Sequence, residues 1–357
     1  MKINKPTLII DKSKSLENIR MMCQKAKKNG VVFRPHFKTH QMLEVGEWYR
    51  KFGIEAITVS SVEMASFFAK AGWEDITIAF PCNILEIVEI NQLASKIKLN
   101  VLIESIETLD FILQNIKNKL GIFIKIDIGG RRTGIIPENI SLAEQIIEKL
   151  KDSRLLNFKG FLAHAGQNYI ATSRQEIIAN HLSGNKILSD IKKRFSNTND
   201  EIKISIGDTP ACSISEDFEG IDEIRPGNFV FYDLMQFKLG SCNLSQIAVA
   251  VVCPIVAIHK TRNQIVIYGG AVHFSKEHLL ENDRNLFGYV VKFQANGWTI
   301  IKNCYLVSVS QEHGIVECSR EFLGQISVGD IIGLLPVHSC LTVNLMRENY
   351  LVIRNEK

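Results

Sequence analysis

The segment Pro336-Val-His338-Ser-Cys340 contains the two side chains best suited to bind a metal ion. Imidazole nitrogen and thiolate sulfur are both ligands of Zn²⁺, a borderline-soft cation. In an extended segment, residues two positions apart point to the same side, so one strand end can offer both. Two protein ligands are fewer than a closed structural zinc site uses, and open positions hold water and substrate. The pair therefore predicts a catalytic metal site, and the alternative is a solvated histidine beside a buried thiol.

A second set of reactive side chains follows predicted strands in the first two thirds of the chain. Lys38 follows the first of these strands, within Arg34-Pro-His-Phe-Lys38-Thr-His40. Four further polar segments follow the fifth to the eighth strands: Asp127-Ile-Gly-Gly-Arg-Arg132-Thr-Gly134, His164-Ala-Gly-Gln-Asn-Tyr169, Gly207-Asp-Thr209 and Gly227-Asn228. In a closed barrel of parallel strands these loops meet on one face, where the chemistry of such barrels collects. We therefore predict a single site built from these loops.

The last two of these loops have the composition of a phosphate-binding site. Loops after the seventh and eighth strands are the usual phosphate cradle of such barrels. Gly207 and Gly227 allow close backbone approach, and Thr209 and Asn228 add a hydroxyl and polar N–H groups. Together with Lys38, the cradle predicts pyridoxal 5'-phosphate held as a Schiff base. Taken singly, each motif has a structural alternative, such as a surface lysine, a plain turn or an Arg132–Asp127 ion pair.

Eight short β-branched runs alternate with amphipathic segments between residues 7 and 235. The predicted strands are Val31–Arg34, Ala56–Ser60, Ile76–Phe80, Leu99–Ile103, Ile122–Ile126, Gly160–Ala163, Lys203–Ile206 and Asp222–Arg225. The predicted helices include Glu63–Ala71, Ile84–Ser95, Thr108–Asn118, Ser141–Lys151 and Arg174–Phe195. Several strands are apolar throughout, which is typical of strands buried on both faces. This pattern predicts an α/β fold, a (β/α)8 TIM-type barrel, with a doubly wound open sheet as the alternative.

The pattern changes after Asp233, where helical periodicity almost vanishes. The strand-like runs that follow are Ile247–Ile258, Gln264–Tyr268, Gly288–Phe293, Thr299–Ile301, Cys304–Val309, Ile315–Glu317, Ile331–Leu335 and Leu351–Ile353. Short strands separated by turn residues indicate an all-β fold. We therefore predict a C-terminal all-β domain over residues 240–357, which would carry His338 and Cys340.

The composition excludes several classes of partner. The chain has 357 residues, 46% of them hydrophobic and 22% charged, with a net charge of +4. It has no Lys/Arg-rich run of the kind that binds nucleic acid, and no apolar run of the roughly 20 residues that a membrane span needs. The first residues lack the apolar stretch of a signal peptide, and the eight cysteines have no paired spacing. We therefore predict a cytoplasmic protein with reduced thiols.

Taken together, these motifs resemble those of the metal-activated D-serine dehydratases and D-threonine aldolases, enzymes related to alanine racemase. The matching segments run in order along almost the whole chain: Pro-His-Phe-Lys38-Thr-His, Asp127…Arg132-Thr-Gly, Gly207-Asp-Thr-Pro, Arg225-Pro-Gly-Asn-Phe-Val-Phe-Tyr232-Asp and Val337-His338-Ser-Cys340-Leu-Thr-Val-Asn. One segment departs from the family pattern: His164-Ala-Gly-Gln-Asn-Tyr169 stands where His-Gly-Gly-x-Ser-Tyr is usual. That departure concerns the identity of the substrate.

The resemblance implies roles for the individual residues. Lys38 would carry the cofactor, Arg132 would face its phenolic oxygen, and His164 would lie beside its ring. The phosphate would be held by Gly207, Thr209, Gly227 and Asn228. Tyr169 would approach the substrate side, and His338 and Cys340 would bind a divalent ion, Zn²⁺ first and Mn²⁺ as the alternative. The family also implies a homodimer.

The implied reaction is removal of the β-hydroxyl from a D-amino acid, giving an oxo acid and ammonia. The dehydratases have His-x-Cys at the metal site, whereas many aldolases have His-x-Asp, so Cys340 favours dehydration. Cleavage of the Cα–Cβ bond, as in a D-threonine aldolase, uses the same parts and is the first alternative. An amino-acid racemase, which would need a second acid/base such as Tyr268 or Tyr289, and a non-catalytic pyridoxal phosphate-binding protein are the others.

Overall fold

A computed structural model describes residues 3–195, 202–294 and 297–353. The chain divides into two compact units. One unit is continuous, from Arg20 to Gly227, and the other combines the residues up to Ile19 with those from Asn228 onward. The first strand, β1 (Thr7–Asp11), and the first part of helix α1 (Lys12–Lys28) therefore belong to the second unit. The predicted barrel domain of residues 7–235 had included this strand.

The continuous unit contains an eight-stranded parallel sheet that closes into a barrel. Its strands are β2 (Val32–Phe33), β3 (Ala56–Val59), β4 (Asp75–Pro81), β5 (Lys98–Ile103), β6 (Leu120–Ile126), β7 (Leu156–Ala163), β8 (Lys203–Ile206) and β9 (Glu223–Ile224). Neighbours pair in chain order from β3 to β9, and β2 pairs with β9. A parallel bridge between His36 and Thr58 joins the two remaining edges. All eight predicted barrel strands are present, so the barrel prediction is confirmed.

Helices alternate with these strands as the periodicity predicted. They are α2 (Leu43–Arg50), α3 (Val62–Lys70), α4 (Ile87–Ala94), α5 (Ile106–Asn115), α6 (Ile140–Lys151), α7 (Arg174–Phe195) and α8 (Thr209–Ile214). Several begin at a polar cap: the Ser61 and Ser105 hydroxyls accept hydrogen bonds from the main-chain N–H groups of Met64 and Thr108. Local caps and apolar stripes thus set the helix positions, which in turn place the loops at the barrel mouth.

The second unit is built on an eight-stranded sheet of mostly antiparallel strands. After α9 (Leu234–Lys238) come β10 (Val249–His259), β11 (Gln264–Tyr268), α10 (Ala271–Phe274), β12 (Leu279–Glu281), β13 (Arg284–Leu286), β14 (Gly288–Gln294), β15 (Gly297–Val309), β16 (His313–Glu317), α11 (Arg320–Leu323), β17 (Ile331–Pro336), α12 (Ser339–Met346) and β18 (Tyr350–Ile353). β1 lies between β10 and β18, antiparallel to the first and parallel to the second. β12 and β13 are not part of this sheet and pair with each other in a separate two-stranded sheet. The predicted β domain is confirmed, with short helices that the sequence pattern did not indicate.

Within the described residues, no helix is both long enough and apolar enough to cross a membrane.

Candidate functional site

The barrel unit carries the predicted cofactor-binding residues from Lys38 to Gly227 at the carboxyl ends of its strands, whereas Asn228 is the first residue of the second part of the other unit. Lys38 lies in the turn after β2, where it is the exposed member of an otherwise buried segment from Phe33 to His40. Phe37 anchors this turn because its ring is fully buried against Trp73, with ring centroids 5.0 Å apart. The amine of Lys38 is therefore held by a rigid turn while remaining accessible to a ligand.

The loops after β7, β8 and β9 are tied to one another and to this turn. His164 Nδ1 donates to the carbonyl oxygen of Gly207, and the main-chain N–H of Thr209 donates to the Tyr169 hydroxyl at 3.3 Å. A Cβ at Gly227 would lie 2.8 Å from the carbonyl oxygen of His36, so only glycine permits this approach. Backbone packing between loops is thus a sufficient reason for glycine at this position.

Positive groups outnumber negative ones at this barrel mouth. Lys125 and His164 lie on β6 and just after β7, and a cavity of about 180 Å³ is lined by Lys125, Asp127, Arg132 and His164. Burial, followed by the charges of Arg225 and Arg132, lowers the pKa of Lys125 to about 7. Burial and the charge of Lys125 also hold the pKa of His164 well below its ordinary value. An anionic ligand would relieve this mutual repulsion.

Lys125 lines this cavity and was not among the residues predicted from the sequence. Its side chain is 6% exposed and lies on a strand whose seven residues are all buried. The sequence did contain a signal for this residue, because a lysine inside an apolar barrel strand needs an anionic partner to offset the cost of its burial. Asp208 was also missed: its carboxylate caps α8, accepting a hydrogen bond from the Ala211 N–H at 2.7 Å, and burial raises its pKa to about 6.

The barrel residues fit a phosphorylated cofactor. The Thr209 hydroxyl is buried and has no hydrogen-bond partner among the described residues, which leaves it available to a ligand. His164, whose Nδ1 carries the proton donated to Gly207, is neutral because its pKa is so low. The cationic lining suits a phosphate dianion and a phenolate oxygen.

The predicted metal-binding pair lies in the second unit, at a corner between a strand and a helix. His338 has an extended backbone and is the N-cap residue of α12, whereas Cys340 lies in the first turn of that helix. The prediction of an extended backbone across this segment is therefore correct only up to His338. The imidazole of His338 and the thiol of Cys340 nevertheless form a hydrogen bond. Burial lowers the pKa of His338, but the hydrogen bond to Cys340 and the negative charge of the Cys340 sulfur outweigh burial and raise that pKa to about 9.

This pair fits a metal ion with open coordination positions. His338 Nδ1 is buried and has no partner among the described residues. Among all the residues that the structure describes, no group of three or more His, Cys, Asp or Glu side chains is arranged to hold a metal ion. The protein thus offers a nitrogen and a sulfur ligand, the donor set that suits Zn²⁺, without a closed structural site.

The Asn228 side chain contacts one member of the metal-binding pair, Cys340, together with Ser339 and Asp233. Its amide nitrogen lies 3.5 Å from Cys340 Sγ, 3.0 Å from Ser339 Oγ and 2.6 Å from Asp233 Oδ2. Asp233 is fully buried, and neither it nor the contact of Asn228 with Cys340 was anticipated from the sequence.

Comparison with known proteins gives matches over nearly the whole chain. A family model described as "Alanine racemase, N-terminal domain" matches residues 10–234, and one described as "Putative serine dehydratase domain" matches residues 248–352. The chain is 29% identical to a D-serine dehydratase of Dictyostelium discoideum, over 99% of this chain and 94% of that protein. It is 24% identical to a 3-hydroxy-D-aspartate aldolase of Paracoccus denitrificans, over 99% and 90%.

Solved structures share the same fold. The D-threo-3-hydroxyaspartate dehydratase of Delftia sp. HT23 superposes with a TM-score of 0.91 at 24% identity, covering 99% of this chain and 95% of that one. A mutant of that dehydratase has been solved in a metal-free form. The predicted fold and the predicted family are both confirmed.

Proposed function

Because the chain belongs to the alanine racemase N-terminal domain family, we propose that it is a pyridoxal phosphate-dependent lyase that dehydrates a D-amino acid carrying a β-hydroxyl group. The observation that carries this proposal is the presence, in one chain, of a cation-rich barrel mouth containing Lys38 and of a hydrogen-bonded imidazole–thiol pair. The names of the relatives support a lyase acting on D-hydroxy amino acids.

At the barrel mouth, Lys38 would hold the cofactor and then accept the Cα proton of the substrate at its amine. When bound, pyridoxal phosphate withdraws electrons from Cα and so makes that proton more acidic. Arg132 and Lys125 would bind its negative oxygens, and the buried Thr209 hydroxyl would donate to its phosphate. Tyr169, whose hydroxyl already contacts the Thr209 loop, would border the substrate.

In the second unit, His338 and Cys340 would hold the divalent ion, which we propose to be Zn²⁺ because of the thiol. Mn²⁺ is the alternative, as a harder ion that a thiolate suits less well. When bound, the ion supplies Lewis-acid assistance to the departure of hydroxide. The buried unpartnered Nδ1 of His338 and its link to Cys340 support this assignment.

Aldol cleavage is the second candidate function. It is favoured by the relative named as an aldolase, and it requires the same lysine and a metal ion. Cys340, which occupies the position where many aldolases have aspartate, favours dehydration.

The substrate class is tested by product analysis. Purified protein is incubated with D-serine, D-threonine, D-threo-3-hydroxyaspartate and their L-forms, and the products are separated. We expect an oxo acid and ammonia in equal amounts from D-forms alone. Glycine and an aldehyde would establish the aldolase, and interconversion of D- and L-forms without bond cleavage would establish a racemase.

We also propose a homodimer. Phe80, Leu85 and Val88 lie around the end of β4 and the start of α4 and are 57%, 86% and 60% exposed, and we propose that they form one apolar surface. Large exposed apolar patches mark interaction surfaces, and a second copy of the chain is the partner that the family implies. The eight cysteines are free thiols, which supports our proposal of a cytoplasmic location.

A further inference from the structure

The amide nitrogen of Asn228 makes hydrogen bonds to Cys340 and to two residues beside the metal-binding pair. Its nitrogen has two hydrogens and three acceptors within reach: Asp233 Oδ2 at 2.6 Å, Ser339 Oγ at 3.0 Å and Cys340 Sγ at 3.5 Å. At least one hydrogen is therefore shared between two acceptors. Since Asn228 is buried, water cannot replace these bonds.

Asp233 fixes the other end of this arrangement. Its Oδ1 accepts from the main-chain N–H of Gln236 at 2.8 Å, and its Oδ2 accepts from that of Ser339 at 2.9 Å. One carboxylate thus caps both α9 and α12. Ser339 lies between the two proposed ligands, at the start of α12. Its hydrogen bond to Asp233 therefore fixes the backbone of the strand-to-helix corner that carries His338 and Cys340.

We propose that Asn228 and Asp233 are positioning residues of the metal site, holding His338 and Cys340 in a ligating arrangement before an ion binds. This inference rests on the proposed function, in which those two side chains bind the ion. The hydrogen bond from Asn228 stabilises negative charge on the Cys340 sulfur, and the hydrogen bond from the Ser339 N–H to Asp233 holds in place the residue that joins the two ligands.

The same contacts limit what Asn228 can do for the cofactor. A phosphate oxygen accepts hydrogen bonds, and the Asn228 side chain has no donor left to offer because its amide hydrogens are occupied. Its Oδ1 is buried without a partner among the described residues, but it can only accept. Any bond from this residue to a phosphate would come from its main-chain N–H, which an alanine would keep.

The test compares metal and cofactor affinity in Asn228→Ala. Full-length holoenzyme is stripped of metal, and affinity for Zn²⁺ is measured by competition with a chromophoric chelator. We expect affinity to fall by about 10–100-fold, the usual effect of removing a residue that supports a metal ligand. The thiolate charge-transfer band of the Co²⁺ form should weaken or shift, while pyridoxal phosphate affinity stays within about twofold. Asp233→Asn, which keeps the side-chain size, should lower Zn²⁺ affinity in the same direction.

The matched control is Asn18→Ala. Asn18 is another buried amide of the same unit, whose nitrogen donates to the carbonyl oxygens of Val230 and Gln246 at 3.2 and 2.9 Å. We expect it to lower thermal stability without changing Zn²⁺ affinity. Equal metal loss in both asparagine variants, or unchanged Zn²⁺ affinity in Asn228→Ala, would overturn this inference alone. A wild type without a Co²⁺–thiolate band would overturn the proposed metal site as well.

Discussion

Lys125 shows how one side chain sets the electrostatics of the barrel mouth. A lysine with a pKa of about 7 is mostly charged below that pH and mostly neutral above it. An anion binds more tightly to the charged form and therefore raises this pKa when it binds. Affinity for pyridoxal phosphate should consequently fall as pH rises through neutrality.

The variant Lys125→Met isolates the contribution of the Lys125 charge to the pH dependence of cofactor affinity. We expect the variant to bind pyridoxal phosphate more weakly than wild type at pH 6.5, by about tenfold for one lost charge-assisted bond, and to approach the wild type at pH 8.5. Titrations at both pH values measure the difference directly. A gap between the two proteins that stays constant with pH would show that the charge of Lys125 does not contribute.

Substitutions at Thr209 distinguish an effect on cofactor binding from an effect on protein stability. Its hydroxyl is buried without a partner among the described residues, so it costs free energy in the ligand-free protein. Thr209→Val should weaken cofactor binding by roughly 1–2 kcal/mol while leaving the thermal midpoint of the ligand-free protein equal or higher. Thr209→Ser, which retains the hydroxyl, should keep most of the affinity. A valine variant that loses stability and keeps affinity would contradict this role.

The loop after β9 is placed by its contact with the Lys38 turn. In Gly227→Ala the added methyl group would lie 2.8 Å from the His36 carbonyl oxygen and 3.0 Å from Thr39 Oγ1, so the loop or the turn must shift. We expect at least a tenfold loss of cofactor affinity, read from absorbance titration. Gly166→Ala on the same rim meets its nearest atom only at 3.8 Å and should change affinity much less. Equal effects would show that the close approach is unimportant.

The sequence was sufficient to predict elements whose signals are local. The barrel strands, the main helices and the C-terminal strands follow from apolar periodicity, and the loops carrying Lys38, His164 and Thr209 fall where predicted. The start of α12 could not be predicted in this way. His338 provides no side-chain cap, and the carboxylate that binds the Ser339 N–H belongs to Asp233, 106 positions away in the chain.

The same limitation applies to β1 and Lys125. β1 is buried along its whole length, so its composition cannot tell which sheet accepts it, and its partners β10 and β18 lie far along the chain. The burial of Lys125 depends on strands that surround it only once the barrel closes. Contacts of this kind join residues that are far apart in the sequence, and the secondary-structure propensity of a segment carries no information about them.

The proposed apolar surface of Phe80, Leu85 and Val88 predicts self-association of the chain. Light scattering at micromolar concentration should give about twice the 40.3 kDa chain mass for the wild type. Leu85→Glu should shift the protein toward the monomer, because a buried unpaired charge is costly at an apolar interface. Val328→Asp, at a residue 62% exposed outside this surface, is the control and should remain dimeric. A wild-type monomer with full turnover would refute the dimer.

We propose that Lys38 and the His338–Cys340 pair serve one dehydration with separate tasks. The decisive measurement is oxo acid release from D-serine before and after removal of metal with a chelator, with the absorbance of the Lys38-bound cofactor followed in the same sample. We predict that turnover stops, the cofactor absorbance persists, and Zn²⁺ restores activity in the wild type but not in Cys340→Ser. Undiminished turnover by a preparation free of metal would show that the metal ion has no part in the reaction.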